Sequence, residues 1–140
     1  MTSHPGDPDD EARRAIERRL DEILVAVQAV DMGRLTDFHL DSPKFSKFND
    51  LPPWERQDFA TAMRLEAEEF RSVSDIHGAF DDVKIDVFGP VAVVTAVFAF
   101  EAMAEGDRVA SRTRVTAVMV DDGGDWKIAH EHLSDLPSPA

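Results

Sequence analysis

Apolar side chains recur at helical spacing through the first thirty residues, and charged residues fill the opposite face. Asp7 can cap this helix and Pro8 suits its first position, so we expect the helix to begin there. A second, shorter helix is predicted from Asp31 to about His39. A third is predicted to start near Pro53. The buried stripe of the third helix consists of Phe59, Met63, Ala67, Phe70 and Val73.

The hydrophobic pattern changes to a period of two after the third helix. A first strand is predicted in DVKIDVFG, two long strands in VAVVTAVFAFEAMA and RVASRTRVTAVMV, and a last strand in WKIAHEHLS. The glycine-rich stretch DDGGD is typical of a hairpin turn between the last two. Helices followed by consecutive strands predict an α+β fold. We expect three N-terminal helices on the concave face of a curved antiparallel sheet of about four long strands.

Length and composition indicate one domain with one core. We expect the folded domain to cover residues 9–134, between a flexible acidic tail of residues 1–8 and a flexible tail of residues 135–140. The chain contains no cysteine, which excludes disulfides and thiolate zinc sites. Its start is acidic rather than a basic leader, and no apolar run approaches the length of a membrane span. We therefore expect a cytoplasmic protein without a membrane partner.

The charge of the chain is strongly one-sided. Its 28 acidic residues against 15 basic ones give a net charge of −13. Such a surface repels phosphate backbones, so a nucleic-acid partner is not expected. An Asp-rich, Lys-poor composition also suggests the hypothesis of a high-salt cytoplasm, where salt screens the self-repulsion. Melting temperatures that do not rise between low and molar NaCl would contradict that hypothesis.

The C-terminal hairpin carries the residues with the most distinctive chemistry. If Asp121 pairs with Asp125 across a three-residue loop, His130 lies opposite Thr116 and His132 lies opposite Arg114. A polar set then shares one face of the sheet: Arg112, Arg114, Thr116, His130, His132 and Ser134. A slip of one residue would move the arginines to the other face, and the turn sequence does not exclude that slip.

The stretch RVTAVMVDDGGDWKIAHEHLS resembles the C-terminal hairpin of SnoaL-like proteins in the NTF2-like superfamily. The residues that carry the resemblance are Arg114, Thr116, Val118, Trp126, Ile128, His130, His132 and Ser134. A similar ending occurs in the association domain of calcium/calmodulin-dependent kinase II. The order of elements extends the resemblance over nearly the whole chain. It implies a cone of curved sheet closed by helices, a pocket lined by Arg114, His130 and His132, and a homodimer through the outer sheet face.

Several kinds of site remain open for these residues. A metal site would use His130 and His132 with His39 or Asp41, but zinc normally takes three or four such ligands, so we expect neither a metal nor a cofactor. In acid–base chemistry, His130 or His132 would move a proton, Asp41 would orient a histidine and Arg114 would hold an anionic group. The chain has no tyrosine, which argues against the steroid isomerase reaction of the resembling superfamily.

The remaining residues expected at the pocket are Thr116, Ser134, Arg112, His39, Phe45, Phe48, Trp54 and Trp126. Three of these aromatics, Phe45, Phe48 and Trp54, would form either a lid over a ligand or ordinary core. The sequence thus predicts a SnoaL-like protein that binds a small organic molecule in the cone. That molecule could carry an anionic group, which Arg114 would hold. The alternatives are a cofactor-independent isomerase, dehydratase or cyclase that uses a pocket histidine, and a non-catalytic homodimerisation module.

Overall fold

A five-stranded sheet carries the fold, with strand order β1-β5-β4-β3-β2. The computed structural model describes residues 8–137. The elements in chain order are α1 (Pro8–Ala29), α2 (Met32–Asp37), β1 (Ser46–Phe48), α3 (Phe59–Arg71), β2 (Ser74–Phe88), β3 (Val91–Ala104), β4 (Asp107–Asp122) and β5 (Asp125–Asp135). The expected α+β class, with helices before consecutive strands, is confirmed. Residues 1–7 and 138–140 lie outside the described part, and they include Asp7, most of the expected N-terminal tail and half of the expected C-terminal one.

The predicted start of the third helix is wrong. The third helix begins at Phe59 rather than near Pro53, because the Asp58 carboxylate accepts a hydrogen bond from the Thr61 amide at 2.9 Å and caps the helix there. The four predicted long strands are present as β2 to β5, and the short strand β1 adds a fifth to the sheet. This short strand runs parallel to β5, while the other neighbouring pairs are antiparallel.

The helices pack on one face of the sheet, here called the inner face. One group of buried side chains joins Ile16 of α1 to Val94, Met119 and Ile128 of the sheet. A second joins both N-terminal helices to β2 and β3 through Val27, Leu35, Phe38, Ile76 and Ala102. Trp126, expected at the pocket, is instead a core residue with 6% of its surface exposed. None of the helices within residues 8–137 is long and apolar enough to cross a membrane.

The turn between β4 and β5 differs from the predicted three-residue loop. Asp122 pairs with Asp125 across Gly123 and Gly124, whose φ angles of 65° and 92° lie in the left-handed region that glycine adopts without strain. Ile128 consequently lies opposite Met119. The predicted register, built on a longer loop, is therefore wrong from the first pair onward.

A β-bulge then shifts the pairing once more. His130 lies opposite Val118 although Ile128 lies opposite Met119, so Ala129 is the additional residue on β5. The histidines are thus paired with Val118 and Thr116, where Thr116 and Arg114 were predicted. Because the bulge breaks the alternation of side chains, the core positions before it and the histidines after it lie on opposite faces of the sheet.

The inner face of β5 carries Trp126 and Ile128 before the bulge, then Glu131 and Leu133 after it. The outer face carries six of the expected pocket residues: Arg112, Arg114, Thr116, His130, His132 and Ser134. These side chains do share one face, as the sequence suggests, but it is the face away from the helices. Their expected position inside the cone is corrected accordingly.

Replacing Ile16 by alanine tests the core. Ile16 is fully buried, so we expect Ile16→Ala to lower the free energy of unfolding by about 2–5 kcal/mol, measured by urea denaturation. Val25→Ala is the matched control on the same helix, because 58% of Val25 is exposed, and it should cost less than about 1 kcal/mol. Equal losses in both variants would contradict the described packing of α1.

Candidate functional site

A cavity of about 440 Å³ lies between the inner face of the sheet and the helices. Its size falls within the range of about 300–1,000 Å³ that is usual for small-molecule sites. Most of the wall is apolar, with aliphatic side chains from α1 and from β3 to β5. The acidic and basic side chains in the wall are His39, Lys47, Asp50, Glu66, Glu69, Glu131 and Asp135.

His39 is held in the wall by backbone pairing beyond the end of α2. The Leu40 amide donates to the Ile128 carbonyl at 2.8 Å, and the Ile128 amide donates to the Phe38 carbonyl at 2.9 Å. This short bridge places the imidazole beside β5 with only 4% of the residue exposed. The ring of Phe45 packs edge-on against it, with 5.8 Å between centroids.

Lys47 and Glu131 reach the same place through strand register. They are directly paired between β1 and β5, so their side chains lie on the same face, which is the inner one. Lys47 is also fixed on its other side, because its backbone exchanges two hydrogen bonds with Gln57 at 2.9 and 3.1 Å. The residues on either side of Lys47 in β1, Ser46 and Phe48, consequently face outward.

Helix α3 supplies two further carboxylates. Glu66, Glu69 and Phe70 are spaced three and four residues apart, so they lie on one helix face, and all three line the cavity. Glu66 Oε2 lies 3.9 Å from His39 Nε2 and 3.7 Å from Lys47 Nζ. We call His39, Lys47, Glu66 and Glu131 the polar cluster.

The hydrogen bonds of His39 define its protonation. Nδ1 lies 2.6 Å from the Leu35 carbonyl oxygen, which can only accept, so Nδ1 carries a hydrogen. Nε2 lies 2.7 Å from Glu131 Oε1. Burial by itself would lower the pKa of His39, but the charge and hydrogen bond of Glu131, with the charge of Glu66, raise that pKa to about 9. His39 is therefore an imidazolium that donates from both nitrogens at neutral pH.

Lys47 and Glu131 of the polar cluster are charged for the same reason. Burial would raise the pKa of Glu131, but the charges of Lys47 and His39 lower it to about 2. Burial would lower the pKa of Lys47, and the charges of Glu131 and Glu66 raise it instead. Glu69 differs, since desolvation raises the pKa of its carboxyl, and the charge of Lys47 only partly opposes this.

This arrangement limits the chemistry of the site. Both ring hydrogens of His39 are engaged by Leu35 and Glu131, so neither is free to pass to a bound molecule. Ligand atoms of His39, Glu66 and Glu131 lie within 4.8 Å of one another, a spacing that would suit a metal ion. The ammonium of Lys47 next to Glu66 already supplies positive charge there, so we interpret the cluster as an ion-paired network.

His130 and His132, expected as catalytic residues, lie on the outer face of the sheet. The Nδ1 atom of His130 lies 2.8 Å from the hydroxyl oxygen of Ser46. Phe48 contacts both imidazoles, with centroid distances of 6.1 Å to His130 and 5.4 Å to His132. The guanidinium of Arg56 lies over the Phe48 ring, 5.3 Å from its centroid. Phe48 is thus part of an outer patch rather than a lid over the cavity.

The two expected arginines also lie outside the cone. Arg114 is exposed and donates to the Ser134 hydroxyl at 3.1 Å and to the Asp135 carbonyl at 3.3 Å. Arg112 and Thr116 are exposed on the same strand. Arg114, the residue expected to hold an anionic group, therefore does not reach the cavity.

The remaining expected residues divide between surface and core. Asp41 is exposed in the loop after α2, and 64% of Trp54 is exposed. Phe45 is buried and contacts the rings of His39 and Phe59, so it is a core aromatic. Of the residues expected at the pocket, His39 alone lines the described cavity.

Sequence reasoning missed Lys47, Glu66, Glu69 and Glu131. A signal for Glu131 was present, because it alternates with Leu133 opposite the apolar side chains of Ala117 and Val115. A lone carboxylate on an apolar strand face is a candidate for a buried site. Comparable local signals are absent for Lys47, whose position depends on β1 pairing with β5.

A second groove, of about 660 Å³, lies between α1 and β2. Its wall includes Glu17, Asp21 and Lys84, together with Phe88, which is 66% exposed. The groove lacks the convergence of buried charged groups seen in the cone, so we place the candidate site in the cone.

The raised pKa of His39 predicts a loss of stability in alkali. The ion pair stabilises the fold fully below the unfolded pKa of 6.5, and its contribution is lost as pH rises through the folded pKa of about 9. We expect the free energy of unfolding to fall between about pH 7 and pH 10, and Glu131→Gln to lose most of that pH dependence. Urea denaturation at a series of pH values measures both.

At neutral pH, Glu131→Gln should also cost about 3 kcal/mol, because His39 and Lys47 lose a buried partner. Glu55→Gln is the matched control, since Glu55 is exposed in the loop before α3 and should leave both quantities unchanged. If the free energy of unfolding of Glu131→Gln falls between about pH 7 and pH 10 as much as that of the unmodified chain, the ion pair is not the source of this pH dependence.

Comparisons with known proteins agree with the fold and the element order. A family model described as a SnoaL-like domain matches residues 16–139. A provisionally named dehydratase from the NTF2-like family of Streptomyces avermitilis aligns with a TM-score of 0.81 and 18% identity, over 93% of this chain and 99% of that one. The CaMKII hub of S. rosetta aligns with a TM-score of 0.72 and 23% identity, over 88% and 95%.

A provisionally named aromatic ring hydroxylase from Novosphingobium aromaticivorans aligns with a TM-score of 0.77 and 17% identity, over 91% of each chain. No curated protein matches the chain. At these identities the solved structures show a common fold and leave the activity open. The family match covers most of the sequence, including all the residues of the polar cluster. The chain belongs to the SnoaL-like family.

Proposed function

We propose that this protein binds a small organic molecule with a largely apolar body in the cone. The observation that carries the proposal is the cavity itself, about 440 Å³ in volume, with apolar walls and a few converging charged groups at one side. Sites of this composition bind through their apolar walls and orient the ligand through the polar groups.

Binding is favoured over turnover by the state of the groups that face the cavity. The two histidines expected to transfer protons lie on the outer face of the sheet. His39 has both ring nitrogens engaged as donors, which suits a group that positions Glu131 rather than one that exchanges protons with a ligand.

Filling the cavity tests this function. Ala96 lines the cavity from β3, so Ala96→Leu should occupy part of the space available to a ligand. We expect the neutral apolar dye Nile red to bind the unmodified chain with a rise in fluorescence, and Ala96→Leu to weaken that binding about tenfold. Fluorescence titration gives the dissociation constants, and circular dichroism verifies that the variant is folded.

The control is Ala110→Leu, which adds the same atoms at an exposed position on the outer face of β4. It should leave dye binding unchanged. Equal weakening by both substitutions, or no dye binding by the unmodified chain, would contradict a ligand site in the cone.

We also propose that the outer sheet face forms a homodimer. Val94, Ala96, Phe98 and Phe100 line the cavity, so the alternate positions of β3 face outward. The outer face of β3 and β4 carries the half-buried apolar residues Val93, Val97, Ala99, Val118 and Val120. These apolar side chains lie among exposed threonines and arginines on the same face, a mixture that suits a protein interface, and one structure of the same fold is a CaMKII hub.

A charge at the centre of this outer face should dissociate the dimer. Val93 pairs with Val118 on β4 and with Asp86 on β2, so Val93→Glu would bury a carboxylate without a paired cation in the interface. We expect a dimer mass for the unmodified chain and a monomer mass for the variant in size-exclusion chromatography with light scattering. Val25→Glu on exposed α1 is the control and should stay dimeric. A monomeric unmodified chain would contradict the interface.

A further inference from the structure

The charged side chains of the cavity are mostly acidic. Among the described residues, five acidic side chains line the cavity, Asp50, Glu66, Glu69, Glu131 and Asp135, against two basic ones, His39 and Lys47. Both basic groups already face carboxylates of the polar cluster. An anionic ligand would thus add a charge to a wall where carboxylates are in excess, and a cationic ligand would reduce that excess.

Glu69 is the carboxylate best placed to receive a cation. Within residues 8–137 no basic side chain forms an ion pair with Glu69, whereas Glu66 lies near both His39 and Lys47. The residue is exposed to solvent while its carboxyl lines the cavity, which places it at the opening. Its acidic neighbours Asp50 and Glu66 add further negative potential at this position.

A continuous series of phenylalanine rings forms another part of the cavity wall. Phe70 lies 6.1 Å from Phe100, Phe100 lies 5.9 Å from Phe98, and Phe98 lies 5.3 Å from Phe80, measured between ring centroids. We call these four residues the aromatic wall. Their tilted rings offer faces and edges against which a flat apolar ring can pack.

The aromatic wall and the carboxylates at the opening of the cavity meet on α3. Glu66 and Phe70 are four residues apart on one helix face, and Glu69 precedes Phe70 in sequence. A ligand whose ring lies on the aromatic wall can therefore present a short side arm to the carboxylates of α3. We propose that the ligand of this cavity is an arylalkylamine, a compound with an aromatic ring and a protonated amine on a short chain.

This inference deepens the proposed ligand-binding function and rests on it. In the bound state, the ammonium donates hydrogen bonds to Glu69 and faces Glu66, while the ring replaces solvent against Phe98 and Phe100. The Lys47 ammonium limits how deeply the amine enters, because two cations repel each other at short range. The amine end therefore lies toward the opening rather than against His39.

A matched series of small probes tests the charge preference. The probes are 2-phenylethylamine, 2-phenylethanol and phenylacetate, which share the ring and differ in the charge of the side arm. By titration calorimetry at about neutral pH, we expect the amine to bind about tenfold more tightly than the alcohol, and phenylacetate to bind most weakly. An alcohol or carboxylate that binds as tightly as the amine overturns the inference.

Substitution at Glu69 identifies the carboxylate responsible. Glu69→Gln should weaken the binding of 2-phenylethylamine about fivefold and leave the binding of 2-phenylethanol unchanged, because only the charge-assisted contact is lost. Glu68→Gln is the matched control, because the neighbouring Glu68 is exposed, pairs with Arg64 and does not line the cavity. If the two substitutions have the same effect on the amine, Glu69 is not its partner and the inference is overturned.

Nile red separates this inference from the function on which it rests. If the dye binds in the cone but none of the three probes does, the arylalkylamine class is wrong and the ligand site stands. If neither the dye nor the probes bind, the proposed function fails together with the inference.

Discussion

A charged imidazole and a charged carboxylate lie in contact inside a cone whose wall is mostly apolar, and each stabilises the charge of the other. Burial opposes both charges, yet the pair raises the pKa of His39 and lowers that of Glu131. Lys47 and Glu66 extend the pair, so the polar cluster joins the end of α2, β1, α3 and β5 at one place. Because a lone charge there would be costly, these four elements can pack in few other ways.

The bulge at Ala129 determines which side chains take part in this network. A regular β5 that continued from Trp126 and Ile128 would place His130 and His132 inside the cone and Glu131 outside it. The additional residue reverses this order, so that a single carboxylate enters the cavity and two imidazoles remain on the outer face. On the edge of β5 that faces away from β4, Ala129 also separates the bridge between His39 and Ile128 from the pairing of β1, which begins at His130.

Two surfaces of different chemistry consequently lie back to back on one sheet. The inner face combines phenylalanine rings with an excess of carboxylates, which favours an apolar body with a positive end. The outer face combines valines with histidines and arginines, which favours association with a second protein surface. A β5 without the bulge would have exchanged Glu131 with His130 and His132 between these two surfaces.

The sequence by itself determined the α+β class, the first helix, the long strands and the family resemblance. It also determined that Arg114, Thr116 and the two histidines share one side of the hairpin. These features could be predicted because periodicity and turn chemistry are local properties of the chain. The sequence also indicated His39 near the pocket, because His39 lies at the end of the predicted second helix, a region at the pocket mouth in the resembling fold. Only the tertiary structure decided which hairpin face is inside and which carboxylates meet His39. Those outcomes depend on one bulged residue and on the parallel pairing of β1 with β5, and contacts between segments so distant in sequence leave no periodic trace in either segment.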